Sequence, residues 1–163
     1  MSVDDSAPVD VVVVGAGVLG CAVARTLSIR GLQVYVLESR EAEGQGLTSR
    51  NSGVVHSGIY YPHDSLKARS CVQGQRMLWD WVQRKDVPHR MTGKLVVARR
   101  PEELNALDAL YGNARASGAR GVQRLSSSEV SALEPDLPKM VAALHCPYSG
   151  IVDAVALTHS LRV

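Results

Sequence analysis

The chain has 163 residues, a formal net charge of +2 and a hydrophobic fraction of 45%. That length suits one ordinary domain with a real hydrophobic core. Basic and acidic residues are interspersed, so nothing in the charge pattern indicates a nucleic-acid partner or another polyanion. No apolar run reaches the roughly 20 residues that a transmembrane helix requires. The composition therefore argues against nucleic-acid binding and against a membrane-spanning architecture.

The number and spacing of the cysteines, and the charges near the N-terminus, indicate the cellular compartment. The chain carries three cysteines that are far apart and form no CxxC motif: Cys21, Cys71 and Cys146. We expect reduced, buried thiols rather than a disulfide framework, and no metal site, since the histidines also lack metal-ligand spacing. The acids Asp4, Asp5 and Asp10 stand where a secretory signal or a transit peptide would carry positive charge. This pattern favours the cytoplasm.

Residues 15–20 read GAGVLG and lie between two apolar runs at 9–14 and 34–37. The runs predict two strands, and the segment between them predicts a helix that ends at Gly31, where glycine tolerates a left-handed conformation. Strand, glycine-rich turn, helix and strand together make the βαβ unit of dinucleotide-binding folds. The alternative is a glycine-rich turn that binds nothing, and it accounts less well for this context.

The glycines and the acid of this fingerprint have geometric roles. Gly15 permits the sharp turn from strand to helix, Gly17 lets the backbone approach a pyrophosphate, and Gly20 lets the helix pack closely on the strand. The N-terminus of the helix offers free N–H groups and a positive dipole end to phosphates. Glu38 follows Gly15 by 23 positions, near the offset of about 20 at which an acid accepts ribose hydroxyls. The pattern does not separate NAD from FAD.

Mixed helices and strands are predicted after the fingerprint. We expect a helix over about 66–85 with Trp79 in the core and Trp81 partly exposed, and another from Pro101 to about Gly118. Strands are predicted at 93–98, 122–125 and 139–145. Ser126 and Glu129 have the spacing of a capping box, and Asp153 is placed to cap a last helix. The fold class is therefore α/β, with a Rossmann-like βαβ unit followed by mixed elements from about residue 87.

Several segments together resemble one enzyme family. Residues 50–61 read RNSGVVHSGIYY, and with SLKA at 65–68, GKLVVA at 93–98 and GIVD at 150–153 they are similar to the N-terminal part of L-2-hydroxyglutarate dehydrogenases. These are FAD-dependent oxidoreductases of the D-amino-acid-oxidase type. The resemblance implies a fold truncated relative to the family. Residues 1–86 would form the FAD-binding βαβ unit and flavin-facing segment, 87–149 the start of a mixed α+β substrate domain, and 150–163 a helix returning to the FAD domain.

The resemblance implies oxidation of a small 2-hydroxy acid, with L-2-hydroxyglutarate as the best candidate, by hydride transfer to FAD. The ADP half of FAD is expected on Gly15, Gly17, Gly20 and Glu38. The flavin half needs small residues and backbone N–H groups, which the next segment offers at Thr48, Ser49, Asn51, Ser52, Gly53 and Gly58. His56 is the candidate base for the hydroxyl proton. The alternative is a histidine that only hydrogen-bonds the flavin or the loop backbone.

Other assignments stay open at this stage. Tyr60, Tyr61, Lys67 and Lys94 could contact a substrate carboxylate, or be packed and surface residues. Because the family's remaining features are absent from the sequence, we expect weak FAD binding and little turnover without a longer chain or a complementing C-terminal partner. The alternative function is a non-catalytic fragment that binds a nucleotide or a partner chain. Alternative substrates are glycerol 3-phosphate, amines and amino acids, and the resemblance adds mitochondria as a location.

Overall fold

The computed structural model describes residues 8–162, so Asp4, Asp5 and Val163 lie outside the described residues. The helices and strands are β1 (Val11–Val14), α1 (Val18–Ile29), β2 (Val34–Leu37), β3 (Val54–Val55), α2 (Leu66–Arg84), β4 (His89–Arg90), β5 (Leu95–Ala98), α3 (Leu104–Ala116), β6 (Gln123–Ser126), α4 (Ser127–Leu133), β7 (Ala142–His145), β8 (Gly150–Val152) and α5 (Ala154–Ser160). Short 3-10 turns at Leu47–Ser49 and Pro101–Glu103 complete the described elements. No helix within residues 8–162 is long and apolar enough to cross a bilayer.

The first of two compact units contains the predicted βαβ arrangement. It comprises the described residues up to Gly53, with Lys85–Pro88 and the chain from Val152 onward. Strands β1 and β2 pair in parallel over their full length, and α1 connects them. The helix ends at Ile29, two residues before Gly31, whose φ of +87° is the left-handed conformation that the sequence predicted. The α/β fold class and the βαβ unit are confirmed.

Apolar side chains of this unit remain on its surface. Val14 is 85% exposed, Leu19 80% and Leu47 88%, and the parallel sheet consists of β1 and β2 alone among the described strands. Parallel sheets are stable when helices cover both faces and further strands pair at their edges. Among the described residues, the edges of this sheet are therefore unpaired and several apolar side chains are left open.

The second unit comprises Val54–Arg84 and His89–Ile151. One of its sheets is antiparallel with the order β5-β7-β6, and α3 packs on it through a core of Ala98, Leu107, Ala142 and Leu144. The other sheet has the order β3-β8-β4. The Trp79 side chain of α2 is buried, and its indole N–H donates to the carbonyl oxygen of Tyr148 at 2.8 Å. Trp79 thus belongs to the core as predicted.

The sequence predicted the helix caps at Ser126 and Asp153 correctly, but it did not predict the short strands. The Ser126 hydroxyl accepts the N–H of Glu129, whose carboxylate accepts the N–H of Ser126 at 2.7 Å. The Asp153 carboxylate caps α5 by accepting two N–H groups at 2.9 Å. Residues 150–152, which the sequence included in a returning helix, form β8, because Gly150 and Ile151 pair with β3. Strands of two or three residues carry no periodicity from which to predict them.

Two further expectations differ from the structure. Cys146 is buried, but Cys21 and Cys71 are only half-buried, and all three thiols are free. Residues 54–84, which the sequence grouped with the first 53, pack in the second compact unit. The division into functional domains at 1–86, 87–149 and 150–163 stays a prediction.

Candidate functional site

The fingerprint turn is built on close backbone packing. Gly15 has a φ of +99°, and its N–H donates to the carbonyl oxygen of Leu37 at 2.7 Å. A side chain at Gly20 would place its Cβ against the carbonyl oxygen of Gly15, so only glycine lets α1 start this close to the turn. Both glycines have the conformational roles that the sequence assigned to them. The start of α1 consequently stands directly at the end of β1.

Thr48 completes the start of this helix. Its hydroxyl oxygen accepts the N–H of Val18 at 3.1 Å, although the two residues are 30 positions apart. The N-cap residue Gly17 has no side chain that could do this, and a Cβ on Gly17 would lie 3.2 Å from the Thr48 hydroxyl. A helix N-terminus leaves several N–H groups without helical partners. Thr48, predicted to face the flavin, therefore lies at the N-terminus of the fingerprint helix.

Glu38 lies at the same turn. Its Oε2 accepts the N–H of Ala16 at 2.8 Å, and its Oε1 accepts the N–H of Arg40 at 3.0 Å. These hydrogen bonds, that from Ala16 first, hold the pKa of the Glu38 carboxyl below its ordinary value of 4.5. The acid at the end of β2 is thus ionised at neutral pH and fixed against the glycine-rich turn. Its role toward a ribose stays a prediction.

The polar segment after the fingerprint lines a cavity of about 230 Å³ in the first unit. Its walls are Thr48, Ser49, Asn51, Ser52, Gly53 and the residues from Val152 to Val155. Asn51 shapes this wall, since its side chain donates to the carbonyl oxygen of Thr48 and accepts the N–H of Gly53 at 2.7 Å. Gly53 has a φ of +62°, and a Cβ there would meet the carbonyl oxygen of Val152. The structure therefore brings five of the predicted flavin-segment residues to one cavity.

A larger cavity of about 340 Å³ lies elsewhere in the same unit, and its walls combine small and aliphatic residues with the polar side chains of Cys21, Arg25, Ser28, Glu43 and Arg162. Glu43 forms ion pairs with Arg162 and His159. None of the predicted cofactor residues lines this cavity. The smaller cavity is the one that the predicted flavin-segment residues line.

His56 and Gly58 belong to the second unit. The carbonyl oxygen of His56 accepts the Gln75 amide at 3.1 Å and contacts the Cys71 sulfur at 3.5 Å, while the imidazole is exposed. Gly58 has a φ of +83°, and its Cβ would lie 3.0 Å from a methyl group of Val72. The backbone of residues 56–58 is thus packed tightly on α2. The arrangement fixes the position of His56 and leaves its ring free to meet a ligand.

Two residues that the sequence analysis missed hold this segment in place. Gln75 is 4% exposed and bonds the backbone of His56. The Asn113 amide donates to the carbonyl oxygens of Ile59 at 2.8 Å and Tyr61 at 2.7 Å, and its oxygen accepts the N–H of His63 at 3.1 Å. In the sequence, Asn113 could be noticed only as a polar residue next to Ala114, which is buried in α3.

The ammonium groups of two lysines lie over the rings of Tyr60 and Tyr61. The Lys67 ammonium lies 4.3 Å from the Tyr61 ring centroid, and the Lys94 ammonium lies 4.5 Å from that of Tyr60. Such distances are typical of cation–π contacts. Among residues 8–162, no group of His, Cys, Asp and Glu side chains is arranged to hold a metal ion.

A family model described as FAD dependent oxidoreductase matches residues 10–163. The chain is 45% identical to the mitochondrial L-2-hydroxyglutarate dehydrogenase of Arabidopsis thaliana, with 95% of this chain and 31% of that protein aligned. It is 40% identical to the corresponding protein of Homo sapiens, over 88% of this chain and 31% of that protein. The chain thus spans about a third of the length of these relatives.

Solved structures show the same fold. The FAD-bound L-alpha-glycerophosphate oxidase of Mycoplasma pneumoniae superposes with a TM-score of 0.84 at 31% identity, covering 93% of this chain and 41% of that one. Glycine oxidase of Geobacillus kaustophilus superposes with a TM-score of 0.78 at 26% identity, covering 93% and 42%. The fold described above therefore corresponds to less than half of each of these chains.

Proposed function

Because the chain belongs to the FAD-dependent oxidoreductase family, we propose that it is the cofactor-binding part of an enzyme that oxidises small 2-hydroxy acids. The observation that supports this most is the cavity beside the fingerprint helix, whose polar walls come from the segment that resembles L-2-hydroxyglutarate dehydrogenases. A plain nucleotide-binding module has no need of this segment. Relatives at 45% and 40% identity carry that enzyme's name.

The residues present fit FAD on two structural grounds. At Gly20 any side chain would collide with the turn, and the start of α1 offers backbone N–H groups to an anion. Glu38, ionised and beside the turn, suits ribose hydroxyls as acceptor. We assign the ADP half of FAD to Gly15, Gly17, Gly20 and Glu38. The flavin half is assigned to Thr48, Ser49, Asn51, Ser52, Gly53 and Gly58.

Bound FAD supplies the acceptor for a hydride from the hydroxyl-bearing carbon. Loss of that hydride requires removal of the hydroxyl proton, and an imidazole nitrogen of His56 is the group that we assign to accept it. The ring is exposed, and its backbone is fixed by Gln75 and packed on α2. The product is a 2-oxo acid, so L-2-hydroxyglutarate would give 2-oxoglutarate.

The proposed reaction is tested by adding substrate to the complete enzyme that carries this sequence. L-2-hydroxyglutarate should bleach the visible flavin absorption, and His56→Gln should slow the bleaching by about 10²- to 10⁴-fold, the usual contribution of a general base. A purely structural histidine would leave the rate and its pH profile nearly unchanged in His56→Gln. Bleaching by glycerol 3-phosphate or by glycine, but not by the hydroxy acid, would favour the alternatives that the structural relatives represent.

Full activity is proposed to require a longer chain or a complementing C-terminal partner, because the relatives are about three times as long as the aligned region. The non-catalytic alternative predicts nucleotide binding without any bleaching. The names of these relatives support a mitochondrial location, and the cytoplasm is the alternative. Subcellular fractionation of the native protein distinguishes the two locations.

A further inference from the structure

A cavity of about 300 Å³ in the second unit is lined by side chains of both charges. Its walls include Lys94 next to β5, His145 of β7, Glu134 at the end of α4, and three leucines: Leu95, Leu133 and Leu137. The residues assigned above to FAD are not among them, and neither is His56. This cavity therefore has a lining of its own.

The imidazole of His145 has no protein partner in this cavity. His145 pairs with Leu95 of β5, so the two side chains share one face of the sheet. Gly93 has a φ of +69°, and a Cβ there would lie 3.1 Å from Nε2 of His145, so glycine lets the ring rest on the backbone. The side chain is half-buried, and among the described residues it forms no hydrogen bond or ion pair. A partly desolvated polar ring of this kind is suited to a ligand.

Lys94 and Glu134 have fixed backbones and form no ion pair. The N–H of Lys94 donates to the carbonyl oxygen of Cys146 at 3.2 Å, and its own carbonyl oxygen accepts the N–H of Cys146 at 2.8 Å. The Lys94 ammonium lies over the ring of Tyr60, which leaves most of its N–H donors directed away from the ring. Glu134 is the C-cap of α4, and its N–H donates to the carbonyl oxygen of Val130 at 2.9 Å. Among residues 8–162 the ion pairs involve other side chains, so two opposite charges line one cavity without neutralising each other.

The leucines add an apolar wall next to these charges. Leu133 is 47% exposed and Leu137 is 39% exposed. The N–H of Leu137 donates to the carbonyl oxygen of Glu134 at 3.2 Å, so one turn holds this leucine beside the acid. An aliphatic group that covered both leucines would remove apolar surface from water. The cavity thus offers a cation, an anion and an apolar surface to one ligand.

We propose that this cavity binds the zwitterionic form of a small α-amino acid with an aliphatic side chain. The ligand carboxylate accepts hydrogen bonds from the Lys94 ammonium and a ring N–H of His145, and the ligand ammonium donates to the Glu134 carboxylate. The aliphatic side chain covers Leu133 and Leu137. A simple carboxylate would leave the charge of Glu134 unmatched, and a simple amine would leave that of Lys94 unmatched. The inference is independent of the proposed function, because none of these residues takes part in the assigned cofactor binding or proton transfer.

Isothermal titration calorimetry of this chain without cofactor tests the ligand class. L-Leucine should bind saturably. Its two matched analogues are 4-methylpentanoate, which lacks the ammonium group, and 3-methylbutylamine, which lacks the carboxylate. Each analogue should bind at least about tenfold more weakly, as expected for the loss of a charge-assisted hydrogen bond. Absence of saturable leucine binding, or equally tight binding of either analogue, would overturn the proposal.

Variants of the chain locate the site. Lys94→Met and Glu134→Gln should each lower the affinity for leucine by on the order of tenfold. Lys139→Met changes an exposed lysine outside this cavity and should leave the affinity unchanged. Unchanged affinity in both cavity variants would overturn the proposal, and so would loss of leucine binding in His56→Gln, which would place the ligand at the proposed active site. The titrations contain neither FAD nor a hydroxy acid, so they decide this site even if the proposed function fails.

Discussion

Replacing Asn113 with alanine removes three hydrogen bonds that fix the backbone of residues 59–63. The amide loses its bonds to the carbonyl oxygens of Ile59 and Tyr61 and to the N–H of His63. At about 1 kcal/mol for each bond, the loss is about 3 kcal/mol. Alanine has a higher helix propensity than asparagine by roughly 0.5 kcal/mol. We therefore expect the free energy of unfolding to fall by about 2.5 kcal/mol.

A matched control separates the hydrogen bonds from the change in helix propensity. Asn105 lies on the same helix α3, is exposed, and has no side-chain hydrogen bond within the described part of the chain. Asn105→Ala should therefore stabilise the protein slightly or leave it unchanged. Urea titration followed by circular dichroism measures both variants. If Asn113→Ala and Asn105→Ala differ by less than about 0.5 kcal/mol, an error typical of such extrapolations, the reasoning is wrong.

Further predictions concern the fingerprint and the thiols. Thr48→Val leaves the N–H of Val18 without its acceptor and should destabilise the protein by about 1–3 kcal/mol in a urea titration, whereas Thr48→Ser should restore stability. Because the pKa of Glu38 is lowered in the folded chain, the ionised carboxylate stabilises the fold. This stabilisation is present above pH 4.5, the ordinary pKa, and is lost as the pH falls through the lowered pKa. An NMR titration of the Glu38 carboxyl should therefore give a midpoint below 4.5. Burial raises the pKa of the Cys146 thiol, against smaller opposing effects of Ser57 and Lys94. Iodoacetamide at pH 8 should thus alkylate Cys146 much more slowly in the folded than in the urea-unfolded chain, and equal rates would contradict its burial.

The features that could be predicted from the sequence depend on neighbouring residues. A glycine fingerprint between two apolar runs fixes a βαβ unit, since turn, helix start and strand are specified within about 25 residues. The capping residues Ser126 and Asp153 likewise bond N–H groups only two or three positions away. In each case the residue type and the partner lie within one sequence window.

The features that were missed depend on distant contacts. Strand β3 exists because Val54 pairs with Ile151, and Asn113 bonds a carbonyl oxygen 54 positions away. Thr48 was assigned to the flavin from its segment, but its contact with Val18 across 30 positions required the folded chain. Sequence spacing carries no information on such pairs, so single-sequence reasoning cannot place them.

The central claim is that the fingerprint of this chain holds FAD, and an equilibrium titration of the chain with FAD tests it most directly. Flavin fluorescence should be quenched saturably, and Gly20→Val should abolish the saturable phase, because a side chain there collides with the carbonyl oxygen of Gly15. Gly74→Val is the matched control, since a Cβ at that helical glycine meets no neighbouring atom within 4 Å. Saturable quenching in the native chain and in Gly74→Val, but not in Gly20→Val, is the predicted result. Absence of saturable quenching in the native chain, or equal quenching in Gly20→Val, would contradict the account.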